Sequence, residues 1–221
     1  MTFFAKVGGA IESWLYELNE KKHWFFRLLE WGNDRYAAVF FRGIRRRAMT
    51  FDEVVPGRDR LYQMRFLRPE DEGIVADLFG RFDFKYLPPH SMESRDVGRI
   101  LRRPSYLPFG LFRDEKLTGY YLIRLLAPRN CFTGVWSFPT PENVGLSRAA
   151  GKFGGSLTDR EGIIDFVTVP LDNHASMKAA EFGGWERQRA NRRFYLLRRP
   201  LPPRLFPFAR FNAKAKNNPD S

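Results

Sequence analysis

The sequence predicts a mixed α/β (α+β) domain built on a central, mostly antiparallel sheet and preceded by a helical extension. Three observations carry that expectation. Residues 163–185 read IIDFVTVPLDNHASMKAAEFGGW: a β-branched strand, a proline stop, a short helix and a double glycine before an aromatic. Residues 109–123 read as two apolar strands flanking the charged turn Arg113-Asp114-Glu115-Lys116. Apolar residues make up 43% of 221, enough for a real core, and that length allows one ordinary domain with extensions.

Residues 1–60 form the expected helical extension. Ile11, Trp14, Leu15, Leu18, Phe25, Phe26 and Leu29 recur at helical spacing, with Glu12, Glu17, Glu20 and Glu30 elsewhere around the turn. A second helix is expected from Tyr36 to Ala48, ending in Arg45-Arg46-Arg47, where cations suit the helix dipole. Two readings stand for this pair. It packs on the main domain or on a second copy in a homodimer. Alternatively it lies in an anionic membrane surface, which the tryptophans and arginines favour and the four glutamates oppose.

The main domain is expected over residues 62–200. Met64 to Asp71 reads as an edge strand running into a helix over Glu72–Phe79, with Ile74, Leu78 and Phe79 buried. Residues 83–103 are rich in Pro, His, Ser and charge. In the hairpin, alternation sets Tyr120 and Leu122 on one face, Tyr121 and Ile123 on the other. Gly134 to Pro139 is the next strand. After the strand from Ile163, Pro170 stops the run, and Asp172 and Asn173 offer oxygens to cap the helix Ala175–Phe182. Gly183 and Gly184 end that helix in the left-handed region, and an extended segment follows to Phe194–Leu197.

The net charge is +12, with pI about 10.1, which argues for anionic partners. Residues 201–221 form a basic tail in which Phe206, Phe208 and Phe211 alternate with Arg204, Arg210 and Lys214, a pattern suited to nucleic acid or anionic lipid. No zinc-finger, RNA-recognition or helix-turn-helix pattern accompanies it. Cys131 is the single cysteine, which excludes an internal disulfide and a thiolate zinc site and points to an inert thiol. The apolar run Ala37–Phe41 is far short of a membrane span, Lys6 and Glu12 interrupt any secretory signal, and a cytoplasmic protein is expected.

Val169, Asn173, Ser176, Met177, Ala179, Ala180, Glu181, Gly184 and Trp185 fall at the spacings V-x-x-x-N-x-x-A-L-x-L-Y-E-K-x-G-F. This stretch resembles the C-terminal half of the GNAT superfamily of acyl-CoA-dependent N-acetyltransferases. Gly119 matches the glycine of that family's third strand. The resemblance, spanning residues 62–200, implies a GNAT fold whose sheet splays between strands four and five. It implies acetyl-CoA, or another acyl-CoA, as cosubstrate, an amine acceptor, and no metal. Ala180 stands where many members carry the Tyr that protonates the departing thiolate.

The family's fourth strand ends V-x-P and leads into a [QR]-x-x-G-x-[GA] loop that opens a helix. Glycine there lets the backbone approach, and amides at the helix start grip the CoA diphosphate. Two registers fit. Arg148-x-x-Gly151 leaves 22 positions before Asn173, whereas Glu142-x-x-Gly145-x-Ser147 leaves 28, room for a crossover helix and a return strand. The second is preferred. It assigns Ser137, Phe138, Asn143, Val144, Gly145, Leu146, Ser147, Arg148 and Asn173 to the cofactor. Main-chain amides at Ser137 or Phe138 would polarise the thioester. Asp165, His90, Glu93 or a water chain would take the amine's proton, and Tyr120, Tyr121, Tyr195 or solvent would return one. His90 and Glu93 belong to the stretch that closes on the acceptor.

The expected function is acetyl transfer from acetyl-CoA to a primary amine by direct attack. The alternatives are a long-chain acyltransferase drawing on acyl-CoA or acyl carrier protein, and an inactive module that binds anionic surfaces or nucleic acid.

Overall fold

Strands rich in apolar and β-branched residues on both faces call for cover on both sides, and the helices of this chain supply it. A computed structural model describes residues 23–56, 61–81, 97–137, 143, 145–192 and 194–200. The helices are α1 (His23–Phe40), α2 (Arg42–Met49), α3 (Glu72–Gly80), α4 (Val97–Arg102), α5 (Leu146–Glu161) and α6 (His174–Phe182). The strands are β1 (Asp52–Pro56), β2 (Leu61–Phe66), β3 (Tyr106–Arg113), β4 (Lys116–Leu126), β5 (Asn130–Ser137), β6 (Ile164–Pro170), β7 (Glu186–Ala190) and β8 (Phe194–Arg199). All eight join one sheet in the order β1-β2-β3-β4-β5-β6-β8-β7. Among the described strands only the β5–β6 pair is parallel, and α5 is the crossover that a parallel pair requires.

The β3–β4 hairpin and its two faces follow the sequence expectation. Its turn places Asp114 and Glu115 at φ 49 and 61, a left-handed pair made without glycine. On one face Tyr120 and Leu122 pack with Leu67, Leu78, Phe79 and Ile100 beneath α3 and α4. On the other, Tyr121 and Ile123 join Ala37, Ile44, Phe109, Leu146 and Leu157 beneath α1, α2 and α5. A smaller cluster of Val169, Met177, Trp185 and Leu197 seats α6.

Four local expectations need correction. β1 adds a strand at the end of the helical extension, so the strand around Met64 is covered rather than an edge. Its short Asp-Glu-Val-Val-Pro run carries little strand signal, and pairing with β2 decides it. The helical region bends at Phe41 rather than breaking before Tyr36. Both hydrogen bonds through Phe41 survive the bend, from its own N–H to Ala37 and from Arg45 to its carbonyl. On α3, Val75 is buried and Ile74 is exposed. At the end of α6 only Gly184 is left-handed, at φ 87, while Gly183 stays helical.

The extension is tied to the sheet by charge as well as by apolar packing. Glu30, 7% exposed, faces Arg99 at 2.8 Å, Arg103 at 3.1 Å and Arg124 at 3.1 Å. Asp34 takes Arg103 at 2.8 Å and accepts from the Ser105 hydroxyl. Desolvation alone would depress the Arg103 pKa, but Tyr106, Glu30 and Asp34 more than offset it and leave it raised.

Candidate active site

β5 and β6 are held together over three residue pairs only, Asn130–Ile164, Cys131–Asp165 and Phe132–Phe166. Both strands then continue, β5 to Ser137 and β6 to Pro170, each still paired with its other neighbour. The sheet therefore opens into a V beyond Phe132, and alternate main-chain groups of each strand face the gap without a ladder partner. Because α5 runs back from the end of β5 to the start of β6, its N-terminus stands at the mouth of that V. The side chain of Leu146 locates it: a Cβ on Gly119, the register partner of Ser137, would lie 3.2 Å from Leu146 Cδ2.

Gly145 caps α5 at φ 87, with no side-chain hydrogen bond and no acidic residue in the first turn. The glycine is required, because a left-handed residue with a side chain is strained there. The first-turn amides are thus orphan donors carrying the helix's partial positive charge. Helix α5 begins immediately after Gly145, while Gly151 lies inside it. Asn143 accepts a hydrogen bond from the Tyr62 hydroxyl at 3.3 Å, which ties the loop to β2. Leu146 is fully buried, so only its main chain is offered, and Ser147 is half-buried. Asn173 caps α6: its Oδ1 accepts from the Ser176 N–H at 3.0 Å.

The remaining expected site residues are distributed differently. Asp165 lies in the paired, closed part of the V and is 1% exposed. Its Oδ1 accepts from Thr133 Oγ1 at 3.0 Å and from the Cys131 thiol at 3.6 Å, and its Oδ2 stands 3.6 Å from Arg199 Nε. Burial pushes its pKa up to about 6 against the pull of Arg199 and the two hydrogen bonds. Burial likewise raises the Cys131 thiol, which is sealed as the sequence suggests. Tyr120 and Tyr121 are both fully buried, on opposite faces, and the Tyr120 hydroxyl has no hydrogen-bond partner among the described residues. Desolvation raises both pKa values. Ala180, like half-buried Val167 and Tyr195, packs against the cluster of Val169, Met177, Trp185 and Leu197. Phe138 and Val144, His90 and Glu93, and the side chain of Arg148 lie outside the described residues.

The sequence reading does not find Thr133, Arg199 or Trp136. Thr133 is the first β5 residue past the last pair with β6, and its hydroxyl ties the fork to Asp165. Arg199 reaches from β8 to Asp159 on α5 at 2.8 Å and to the Gly155 carbonyl at 2.7 Å. Trp136 lies near the mouth on the α3 face, with its ring 5.6 Å from Tyr120. Period-two alternation signals which face these residues take; their partners lie 32 to 44 positions away in the chain, or across β4, beyond any local pattern. A separate cavity of about 430 Å³, lined by Phe51, Asp52, Arg65 and Arg68 among others, lies at the β1 edge away from the V. Among the described residues no cluster of His, Cys, Asp and Glu is arranged to hold a metal ion.

This architecture, a mostly antiparallel sheet forked beside a crossover helix, is the GNAT acetyltransferase fold. The chain superposes on the GNAT domain of S. lividans PAT with a TM-score of 0.54 at 13% identity, covering 67% of this chain and 94% of that one. It superposes on an acetyltransferase of GNAT family from Streptococcus pneumoniae with a TM-score of 0.52 at 13% identity, covering 64% and 99%. It also matches Mycobacterium smegmatis RimJ in complex with CoA-disulfide, with a TM-score of 0.52 at 16% identity, covering 66% and 85%. At these identities the likeness is one of fold. No family model and no curated protein sequence matches the chain.

Proposed function

We propose that the chain is an acyl-CoA-dependent N-acyltransferase that delivers an acetyl group to a primary amine by direct attack. The observation that carries this reading is the V itself: two strand edges left unpaired beyond Phe132 and Phe166, with the uncapped N-terminus of α5 at their mouth. Such a site has main-chain donors for a thioester oxygen and, beside them, donors for a diphosphate. In this reading amides around Ser137 and Phe138 hold the carbonyl oxygen, and those of Gly145, Leu146 and Ser147 hold the diphosphate. The amine nitrogen attacks the carbonyl carbon, and the resulting oxyanion is held by the strand amides. The C–S bond then breaks, and the sulfur leaves with the electron pair.

Proton movements are assigned to water at the open mouth. Asp165 is sealed at the closed end, and the Tyr120 and Tyr121 hydroxyls are shut into the two cores. Ala180 brings no proton, so the departing thiolate is protonated by solvent or by Tyr195, which is half-buried against the same cluster as Ala180. Asp165 is read as a positioning residue that holds the fork, not as a base.

Titration calorimetry with acetyl-CoA tests the reading. The intact chain should bind in the micromolar range, and Gly145→Val should weaken binding by at least about tenfold, roughly 1.4 kcal/mol, with its circular dichroism unchanged. Binding by neither protein, or equal binding by both, would reject the site.

A further inference from the structure

The outer face of α1 carries a second kind of surface. Leu28, Trp31 and Val39 point away from the sheet, at 56%, 59% and 54% exposure, and Leu29 and Phe40 extend the apolar arc at 46% and 67%. At about 100° per residue these five side chains cover roughly half the helix circumference. The opposite side, Glu30, Ala37 and then Phe41, is buried against the sheet. The helix is thus apolar both where it packs and where it does not.

Charge on the outer face has one sign. The acids of α1 among the described residues, Glu30 and Asp34, both turn inward to arginines of α4, β4 and the segment between α4 and β3. α2 has no acid. Arg35 lies over the Trp31 ring at 5.3 Å, and Arg42 folds back to the Ala38 carbonyl at 3.3 Å, so both sit beside the apolar arc. Arg27 and Arg46 are exposed as well. Arg47 is taken up by Glu161. Of the four glutamates that the sequence sets against a membrane role, the one described is removed from the outer face by this inward pairing.

We propose that this face of α1 docks in plane on an anionic lipid surface, with Trp31, Leu28 and Phe40 entering the headgroup boundary and Arg27, Arg35 and Arg42 against lipid phosphates. A convex helix that presents large apolar side chains flanked by snorkelling arginines fits an interface of that kind. The net charge of +12 adds long-range attraction to it. A two-fold contact with a second copy is opposed by the same feature, because it would set arginines against arginines with no acid among the described residues of that face between them. No described helix is long and apolar enough to cross a membrane.

Co-sedimentation of the full chain with vesicles tests this. Vesicles of phosphatidylcholine with phosphatidylglycerol should bind it, pure phosphatidylcholine should bind it at least about tenfold less, and added salt should release it. The double variant W31S/F40S changes two exposed positions, so it should keep the wild-type melting temperature and lose vesicle binding. Arg35→Glu with Arg42→Glu should lose it too. Vesicle binding equal in wild type and W31S/F40S would overturn the proposal. So would preference-free binding to both lipids, no binding to either, or a dimer in sedimentation equilibrium that W31S/F40S dissolves.

Discussion

Asp165 is the residue whose surroundings say most about the fork. A carboxylate in the middle of a strand reads from sequence as an acid–base group, because nothing local discloses what lies around it. In place it faces Cys131 and Thr133 on β5 and Arg199 on β8, with Asp159 of α5 beyond the arginine. Burial raises its pKa from 3.8 to about 6, so the folded protein holds this proton more tightly than the unfolded chain does. The resulting stabilisation is full below about pH 4 and is lost as pH rises through about 6, a swing of roughly 3 kcal/mol. Asp165→Asn keeps an acceptor for Thr133 and removes the titration. Thermal unfolding of both proteins across this range should show the wild type losing stability relative to the variant as pH rises; parallel curves would show that Asp165 is not the group responsible. Asp71, whose pKa is lowered by the Arg65 hydrogen bond, titrates with the opposite sign in both proteins and cancels in the comparison.

At the scale of one element, α5 explains its own unpromising composition. Gly151, Gly154 and Gly155 in a crossover helix each weaken it by up to roughly 1 kcal/mol relative to Ala. Their use becomes visible only across the layers. A Cβ on Gly154 would overlap the Tyr121 hydroxyl and ring, one on Gly155 would lie 2.5 Å from Arg199 Nη1, and one on Gly151 would press on Trp185 at 3.2 Å. Gly154→Ala should therefore destabilise the protein by about 1–3 kcal/mol through overpacking, against the direction of helix propensity. Urea unfolding checks this, and a stabilised variant would mean the helix has room to move off the sheet. The helix start at Gly145 is legible in sequence, because a glycine spaced for a crossover has a local meaning. The packing glycines are not, since Tyr121 comes from β4, Trp185 from beyond α6 and Arg199 from β8.

For the molecule as a whole, most of the succession of strands and helices after residue 61 is legible because each has its own period, stop and cap; α4, inside the charged stretch 83–103, and the break between β7 and β8 are not. Strand β1 is not, because its acidic, proline-ended sequence becomes a strand only through β2. The V is implied by resemblance alone, since no residue in β5 or β6 encodes where pairing must cease. If acyl-CoA fills it, hydrogen exchange should slow in peptides covering residues 133–137 and 145–149 on adding acetyl-CoA, and stay unchanged in β2 and β3. Slowing spread evenly over the sheet, or none, would argue against ligand in the fork. The ion pairs of Glu30 reach further than stability: Arg99, Arg103 and Arg124 belong to α4, the turn after it and β4, yet their shared counter-charge belongs to α1. A shortened chain beginning at β2 would take away the Glu30 carboxylate that these three guanidinium groups face, so cutting away the extension dismantles the underside of the sheet and does not liberate a smaller stable domain.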